Sequence, residues 1–180
     1  GKGDLDEVLR QSDMFGNVTG GVLDDFFVSK ERREAFSPAA LAKIRDRLKT
    51  GSSRPLDLWI VVYATNLELP IQEYLDLCDV ITFWTWKSEQ LADMRENFER
   101  LVEMTPGKRH LNGCYMYDYG NNRPMPMDIM EKQAEQYQKW MLDGTSDGLV
   151  LCSNCCADVG LETVPWTRRW LKDLSGMNAK

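Results

Sequence analysis

Short apolar runs alternate with longer amphipathic segments along the chain, and this alternation constrains the fold more than any other feature. Each run is apolar nearly throughout, as expected for a strand that is covered on both faces. The five runs are residues 17–25, 56–64, 79–86, 110–118 and 147–154. The connections between them are too long for hairpins, so we expect right-handed βαβ crossovers and parallel strands. The sequence therefore predicts an α/β fold in one domain, residues 1–180.

The segments between the runs carry the start and stop signals of helices. Ser37 and Pro38 suit the N-cap and the first position of a helix that ends before Gly51. Residues 87–104 and 127–144 place apolar side chains at helical spacing. Shorter helices are predicted at residues 5–15, 69–78 and 164–174.

Five parallel strands fit two architectures. One is a partial TIM (β/α)8 barrel, because a complete barrel takes about 250 residues and this chain has 180. The alternative is an open, five-stranded doubly wound sheet. A helix directly before the first run, and polar or aromatic residues at the carboxyl end of every run, favour the truncated barrel.

The charge of the chain limits its partners. Asp and Glu number 28 against 22 Lys and Arg, for a net charge of −6. This field repels polyanions, so we expect no nucleic acid and no anionic membrane as partner, and neutral or cationic ligands are favoured. No stretch approaches the roughly 18–20 apolar residues of a membrane span. We expect a soluble chain of unknown location, since a signal peptide could lie upstream of Gly1.

Cysteine and histidine usage gives little support to metal or cofactor chemistry. The five cysteines are an odd count, which suits reduced thiols better than a disulfide framework. One C-x-x-C motif, Cys152 to Cys155, makes a poor zinc site when His110 is the single histidine. The sequence has no P-loop and no G-x-G-x-x-G motif after a strand. We therefore expect no cofactor, no metal and structural roles for the thiols.

The carboxyl ends of the predicted strands carry carboxylates, indoles, phenols and amides. These ends lie on one side of a parallel α/β fold, so residues far apart in sequence meet around one cleft. The mixture suits a sugar, because aromatic faces stack on the ring and two carboxyl groups can cleave a glycosidic bond. The catalytic candidates are Asp24, Asp25 and Asp118, and the substrate-binding candidates are Tyr63, Asn66, Trp84, Trp86, Tyr115, Tyr117, Asn154 and Glu162.

The adjacent carboxylates Asp24 and Asp25 cannot share one task if the strand is regular. Alternation places neighbouring side chains on opposite faces, so only one carboxylate faces the cleft. The other then orients it, caps the next segment or binds Arg32 or Arg33. We expect Asp25 to face the cleft. The structural alternative is that both are loop residues, since Asp is common after strands.

The other candidates have structural alternatives as well. Asp118 can initiate the turn at Gly120. Trp84 and Trp86 can be core residues instead of a platform for a sugar ring. Glu162 suits the first turn of a helix, where a negative charge interacts favourably with the helix dipole.

Three motifs form a distinctive set: "VLDDFF", "DVITFWTW" and "YMYDYG". With them, residues 17–171 resemble the C-terminal part, strands four to eight, of an uncharacterised bacterial family of glycoside-hydrolase-like (β/α)8-barrel proteins. The resemblance implies that the first three βα units are missing. It also implies that the catalytic acids at the ends of strands four and seven are Asp24 or Asp25 and Asp118. An open half-barrel of this kind is expected to self-associate or to pair with its missing half.

Three functions are compatible with these residues. The leading hypothesis is a carbohydrate-active TIM-barrel protein, a glycoside hydrolase that uses paired Asp carboxylates. One alternative is a non-catalytic sugar-binding or scaffold domain, in which the acids only shape loops. The other is a divalent-metal-dependent barrel enzyme whose metal is held by Asp24, Asp25 and Asp118, since carboxylates are ligands of hard cations.

Overall fold

Helices and strands alternate through the computed structural model, which describes residues 3–152 and 155–177. The helices are α1 Asp4–Met14, α2 Lys30–Ala35, α3 Pro38–Thr50, α4 Gln72–Leu75, α5 Met94–Met104, α6 Met127–Asp143 and α7 Thr163–Met177. The strands are β1 Gly20–Leu23, β2 Asp57–Tyr63, β3 Val80–Trp84, β4 Arg109–Tyr115, β5 Tyr117–Asp118, β6 Arg123–Pro124 and β7 Gly148–Cys152. Short 3-10 helices span Ala64–Glu68, Ser88–Asp93 and Tyr119–Asn121.

Five strands form one parallel sheet in the order β1-β2-β3-β4-β7, curled as a half-barrel with helices between the strands. The predicted α/β class with parallel strands is therefore confirmed. A doubly wound sheet reverses its strand order at a switch point, whereas here the five strands of the sheet lie side by side in the order in which they occur along the chain. The alternative of a doubly wound sheet is thus wrong.

The fourth apolar run does not form one continuous strand. β4 ends at Tyr115, and β5 pairs antiparallel with β6 in a separate two-stranded sheet. In this hairpin Asp118 lies opposite Arg123. The chain therefore leaves the half-barrel before it reaches Asp118, which the sequence placed at the end of a sheet strand.

Helix boundaries follow local signals where those signals are strong. The Ser37 hydroxyl accepts a hydrogen bond from the Ala40 amide at the start of α3, and α6 ends at Asp143 with Gly144 as its C-cap, whose φ is 80°. Both helices are confirmed. The predicted helix over 69–78 shrinks to the four residues of α4. α2 was not predicted, although its N-cap Ser29 accepts a hydrogen bond from the Arg32 amide.

No helix within residues 3–152 and 155–177 has both the length and the apolar character that crossing a bilayer requires.

Strand alternation divides the sheet into a face toward the helices and a concave face. Ile60 and Phe83 are buried on the helix side, where the Phe83 ring lies 5.9 Å from that of Phe98 on α5. Trp59 and Tyr63 on β2 are an odd number of residues from Ile60, so they point to the concave face. Residues paired across parallel strands share a face, so the functional candidates of β2, β3 and β4 meet on the concave side.

Ion pairs connect the sheet to α3 at the end opposite the predicted cleft. The Lys49 ammonium lies 3.2 Å from a carboxylate oxygen of Asp57 on β2 and 2.9 Å from one of Asp79. Asp79 also accepts a hydrogen bond of 2.8 Å from the Leu58 amide. Arg109 on β4 pairs with Asp57. These contacts stabilise the amino ends of three neighbouring strands.

Candidate functional site

The concave face and the loops after its strands form a cleft of about 550 Å³. Six of the residues predicted from the sequence to form a site line it: Asp24, Asp25, Tyr63, Trp84, Trp86 and Tyr115. They come from the ends of β1, β2, β3 and β4, which the parallel sheet brings to one side. The predicted convergence of these strand ends is therefore present.

Trp86 is the exposed aromatic side chain of the cleft. It lies two residues after the end of β3, and 43% of its surface is exposed. Its ring stacks on Tyr119 with 5.8 Å between centroids and an interplanar angle of 23°. Tyr63 and Tyr115 contact it edge-on at 6.0 and 5.9 Å. Three phenol rings therefore fix the indole while leaving much of it open to a ligand.

Asp25 lies in a turn and not in the strand. β1 ends at Leu23, and Asp25 has a φ of 51°, in the left-handed region. The Tyr63 hydroxyl donates a hydrogen bond of 2.8 Å to its carboxylate. The alternation argument for the acidic pair does not apply, because the pair lies outside the regular strand. Asp24 and Asp25 both line the cleft.

The Arg32 side chain stabilises the turn by binding main-chain carbonyl groups of the acidic pair. Its guanidinium donates to the carbonyl oxygens of Asp24 and Asp25 at 3.1 and 2.9 Å. The sequence suggested an ion pair between one of the acids and Arg32 or Arg33. Instead, the contacts to Arg32 leave the two carboxylates available at the cleft.

Phe26 and Phe27, which follow the acidic pair, point into the core. They are 3% and 2% exposed, and their rings lie 5.5 and 5.8 Å from that of Tyr74. Neither ring lines the cleft. These two side chains anchor the turn, and Asp25 at its tip extends toward Tyr63.

Two phenols connect the Asp25 carboxylate to the centre of the cleft. The hydroxyls of Tyr63 and Tyr115 lie 3.4 Å apart. Burial raises the pKa of Tyr63 above its usual value, and the Tyr115 hydroxyl and the Asp25 carboxylate raise it further. Burial also raises the pKa of Tyr115, to about 12. Both phenols therefore stay protonated near neutral pH and can donate hydrogen bonds.

Asp118 is fully buried and is held by a separate network. Its carboxylate accepts hydrogen bonds from the Ser88 hydroxyl at 2.6 Å, the Ser88 amide at 3.2 Å, Asn121 at 2.9 Å and Arg123 at 3.0 Å. Burial alone raises the pKa of this carboxyl group, but the bonds from Ser88, Asn121 and Arg123 outweigh it and lower the pKa to about 2. Asp118 does not line the cleft, and as a stable anion it holds the loop after β3 to the β5–β6 hairpin.

Trp84 forms the packed floor of the cleft. It is 7% exposed, and its indole nitrogen donates to the Thr82 hydroxyl at 3.0 Å. Its ring lies directly over Gly113 on β4 and 4.7 Å from the ring of Tyr115. Of the two indoles expected to form a platform, only Trp86 is therefore exposed, whereas Trp84 is buried.

Tyr117, Asn66 and Glu162 lie outside the cleft. The Tyr117 hydroxyl donates to Asn122 at 3.0 Å. Asn66 is buried and its side-chain oxygen accepts a hydrogen bond of 2.8 Å from the Tyr63 amide, so it fixes the end of β2. Glu162 is exposed just before α7. Asn154 lies outside the described residues.

Some residues of the cleft were missed among the site candidates. Trp59 lines it and could have been found, because alternation along β2 places it on the same face as Val61 and Tyr63. Tyr119 had no periodic signal, since it belongs to a 3-10 turn after the hairpin strand. Its hydroxyl is hydrogen-bonded to the Cys155 thiol at 2.6 Å.

A metal held by the acidic pair and Asp118 requires the three carboxylates to converge. Among residues 3–152 and 155–177, no group of three or more His, Cys, Asp and Glu side chains is placed to hold an ion. The Asp118 carboxylate instead accepts hydrogen bonds from Ser88 and Arg123.

Comparisons of the chain with protein-family models, with curated proteins and with solved structures find no match.

Proposed function

We propose that the cleft binds a carbohydrate and that the chain is a glycoside-hydrolase-like protein. The observation that carries the proposal is the half-exposed Trp86 ring beside the Asp25 carboxylate. An indole face provides the apolar contact that a pyranose ring needs. The phenols of Tyr63 and Tyr115 and the carboxylates provide hydrogen-bond partners for its hydroxyl groups.

In the proposed reaction, Asp25 acts through its carboxylate, which the hydrogen bond from the Tyr63 hydroxyl holds in place. A carboxylate in this position can attack the sugar or stabilise the positive charge of the oxocarbenium-like transition state. Asp24 is the second carboxyl group that lines the cleft, and we assign it protonation of the leaving oxygen. Asp118 has no catalytic part in this scheme.

Binding is tested with Trp86→Ala and a matched control on another indole. We expect the variant to lose at least about tenfold in affinity for an oligosaccharide ligand, because the ring contact contributes on the order of 1.5 kcal/mol. Trp166→Ala should leave binding unchanged, since Trp166 lies on α7 and not in the cleft. Titration calorimetry against a panel of oligosaccharides provides the measurement. Equal affinities for the Trp86 variant and wild type would contradict the assignment of the cleft.

Catalysis is tested with Asp25→Asn on aryl glycosides. We expect hydrolysis to fall by at least about a hundredfold while sugar binding persists.

A second candidate function is a non-catalytic sugar-binding domain. It is favoured because Asp118 lies outside the cleft. Among the described residues, the carboxylates that line the cleft are then Asp24 and Asp25, which are adjacent in sequence. Wild-type protein that binds sugar but hydrolyses no aryl glycoside would support this second candidate.

We also propose that the half-barrel sheet is part of a (β/α)8 barrel. Its strands follow one another in sequence order, as barrel strands do. Within the described residues, β1 and β7 each have one neighbouring strand. Closure of the sheet into a barrel would give each of them a second neighbouring strand.

A further inference from the structure

A second cavity of about 790 Å³ adjoins the cleft. Asp25, Tyr63 and Trp86 line both spaces, so they form the wall between them. The second cavity differs from the cleft in its charge. Three cationic side chains line it against the single carboxylate of Asp25: Lys30, Arg33 and Lys87.

This local charge has the opposite sign to that of the whole chain. The net charge of −6 predicted neutral or cationic ligands. Around the second cavity, however, cations outnumber carboxylates, and a concave site focuses the field of the groups that line it. Within about 10 Å, the screening length at ordinary ionic strength, a ligand in this cavity is influenced mainly by these cations.

The three cations are only partly neutralised by the protein. Arg33 is half-buried, and its guanidinium donates one hydrogen bond to the Phe27 carbonyl at 2.9 Å, which fixes it on the wall. Lys30 pairs with Glu34 at 3.3 Å, but both side chains are well exposed, so that pair is weak. Lys87 interacts electrostatically with Glu89 but forms no ion pair within 4 Å among the described residues.

We propose that this cavity binds an anionic group of the carbohydrate ligand, either the carboxylate of a uronic acid or a sulfate ester. The inference rests on the proposed function, because the sugar ring is placed against Trp86 in the adjoining cleft. Arg33 presents a planar set of donors that matches a carboxylate or a sulfate. Lys30 and Lys87 add point charges. A neutral sugar would displace water from these three cations without compensating their charge.

The substrate class is tested with one matched ligand set. The set consists of a short oligogalacturonate, its carboxyl-reduced neutral counterpart, and that neutral oligosaccharide carrying sulfate esters. We expect at least about tenfold tighter binding of the acidic ligands at low salt and a loss of this preference as salt rises. Whichever of the carboxylated and the sulfated oligosaccharide binds more tightly identifies the anionic group that the cavity prefers.

The site is tested with Lys87→Gln and Arg33→Gln. Each should weaken binding of the preferred acidic ligand about tenfold and leave binding of the neutral one unchanged. Lys132→Gln is the control, because Lys132 is an exposed lysine of α6 that lies outside both cavities. The Lys87 variant remains decisive if the Arg33 variant fails to fold, since Lys87 is exposed and Gln keeps the Cγ methylene that lies beside Gly120.

The outcomes separate this inference from the proposed function. If neutral and acidic ligands bind equally and Trp86→Ala weakens both, the anion site is wrong while the sugar-binding cleft stands. If acidic ligands bind equally well to Trp86→Ala, the attraction does not involve the cleft, and both proposals fail. Binding of none of the three ligands overturns the anion site, and the panel of oligosaccharides then decides whether the cleft binds sugar.

Discussion

At the scale of single residues, the three candidate carboxylates have different environments. Asp25 is exposed at a turn and receives one hydrogen bond from a phenol. Asp118 is completely buried and accepts several hydrogen bonds, including one from the Arg123 guanidinium. Asp is the residue in both places, but one carboxylate is free to meet a ligand and the other is part of the scaffold.

The buried carboxylate predicts a specific pH dependence of stability. The pKa of Asp118 is lowered from its ordinary 3.8 to about 2 in the folded chain. Its contribution is therefore fully present above about pH 4 and is lost as pH falls toward 2. We expect Asp118→Asn to lower the free energy of unfolding by about 2 kcal/mol at neutral pH. The difference from wild type should shrink through that acid range in urea titrations.

The control for this experiment is Asp128→Asn. Asp128 is exposed and lies 3.6 Å from Lys132 one helical turn away, a pair that contributes little. Its stability curve should follow that of wild type at every pH. Curves for Asp118→Asn and wild type that stay parallel between pH 4 and 2 would show that Asp118 is not held as an anion.

At the scale of elements, local patterns predicted what local interactions determine. Apolar runs and helix caps gave the sheet strands, α3 and α6, because periodicity and capping are properties of neighbouring residues. The ends of two runs could not be predicted this way. Leu23 ends β1 because the next residues turn to bury Phe26, and β4 ends at Tyr115 because Asp118 bonds to a loop 30 residues earlier. Such contacts have no signature in the local sequence.

The packing of β3 on β4 depends on one glycine. A Cβ atom at Gly113 would lie 1.9 Å from the Trp84 ring, so Gly113→Ala must displace the indole or the strand. We expect a loss of about 1–3 kcal/mol in the free energy of unfolding and a changed near-ultraviolet signal from Trp84. The displaced ring would also move Tyr115, which it contacts, so ligand affinity should fall.

The matched control on another strand is Gly21→Ala. Its Cβ would meet Leu48 at 3.6 Å, an ordinary contact, so we expect a change within about 0.5 kcal/mol. If the two alanine variants were equally stable, the close approach of Trp84 to β4 would not be a constraint on the fold.

At the scale of the whole molecule, the two ends of the sheet differ in chemistry. Lys49, Asp57 and Asp79 form ion pairs at the amino end, whereas aromatic side chains and carboxylates gather at the carboxyl end. The lateral edges of the sheet are formed by β1 and β7, its outermost strands in the described residues. Val22 on β1 is 58% exposed although it belongs to a strand. An edge with exposed apolar side chains tends to pair with another strand.

For the five-stranded half-barrel by itself, this edge predicts self-association, in which two copies close one sheet of ten strands instead of an eight-stranded barrel. A two-fold axis along the barrel would place β1 of one copy parallel to β7 of another, at both seams at once. Val22 would then be enclosed with Trp59, its neighbour across the sheet. We expect Val22→Lys to weaken association at least about tenfold, because the closed interior would bury an unpaired charge. Val159→Lys, at a loop residue that is 67% exposed, should leave it unchanged. Sedimentation velocity over a range of concentrations measures the association of both variants. A wild-type chain that stays monomeric at every concentration would show that the half-barrel needs no strands from another copy.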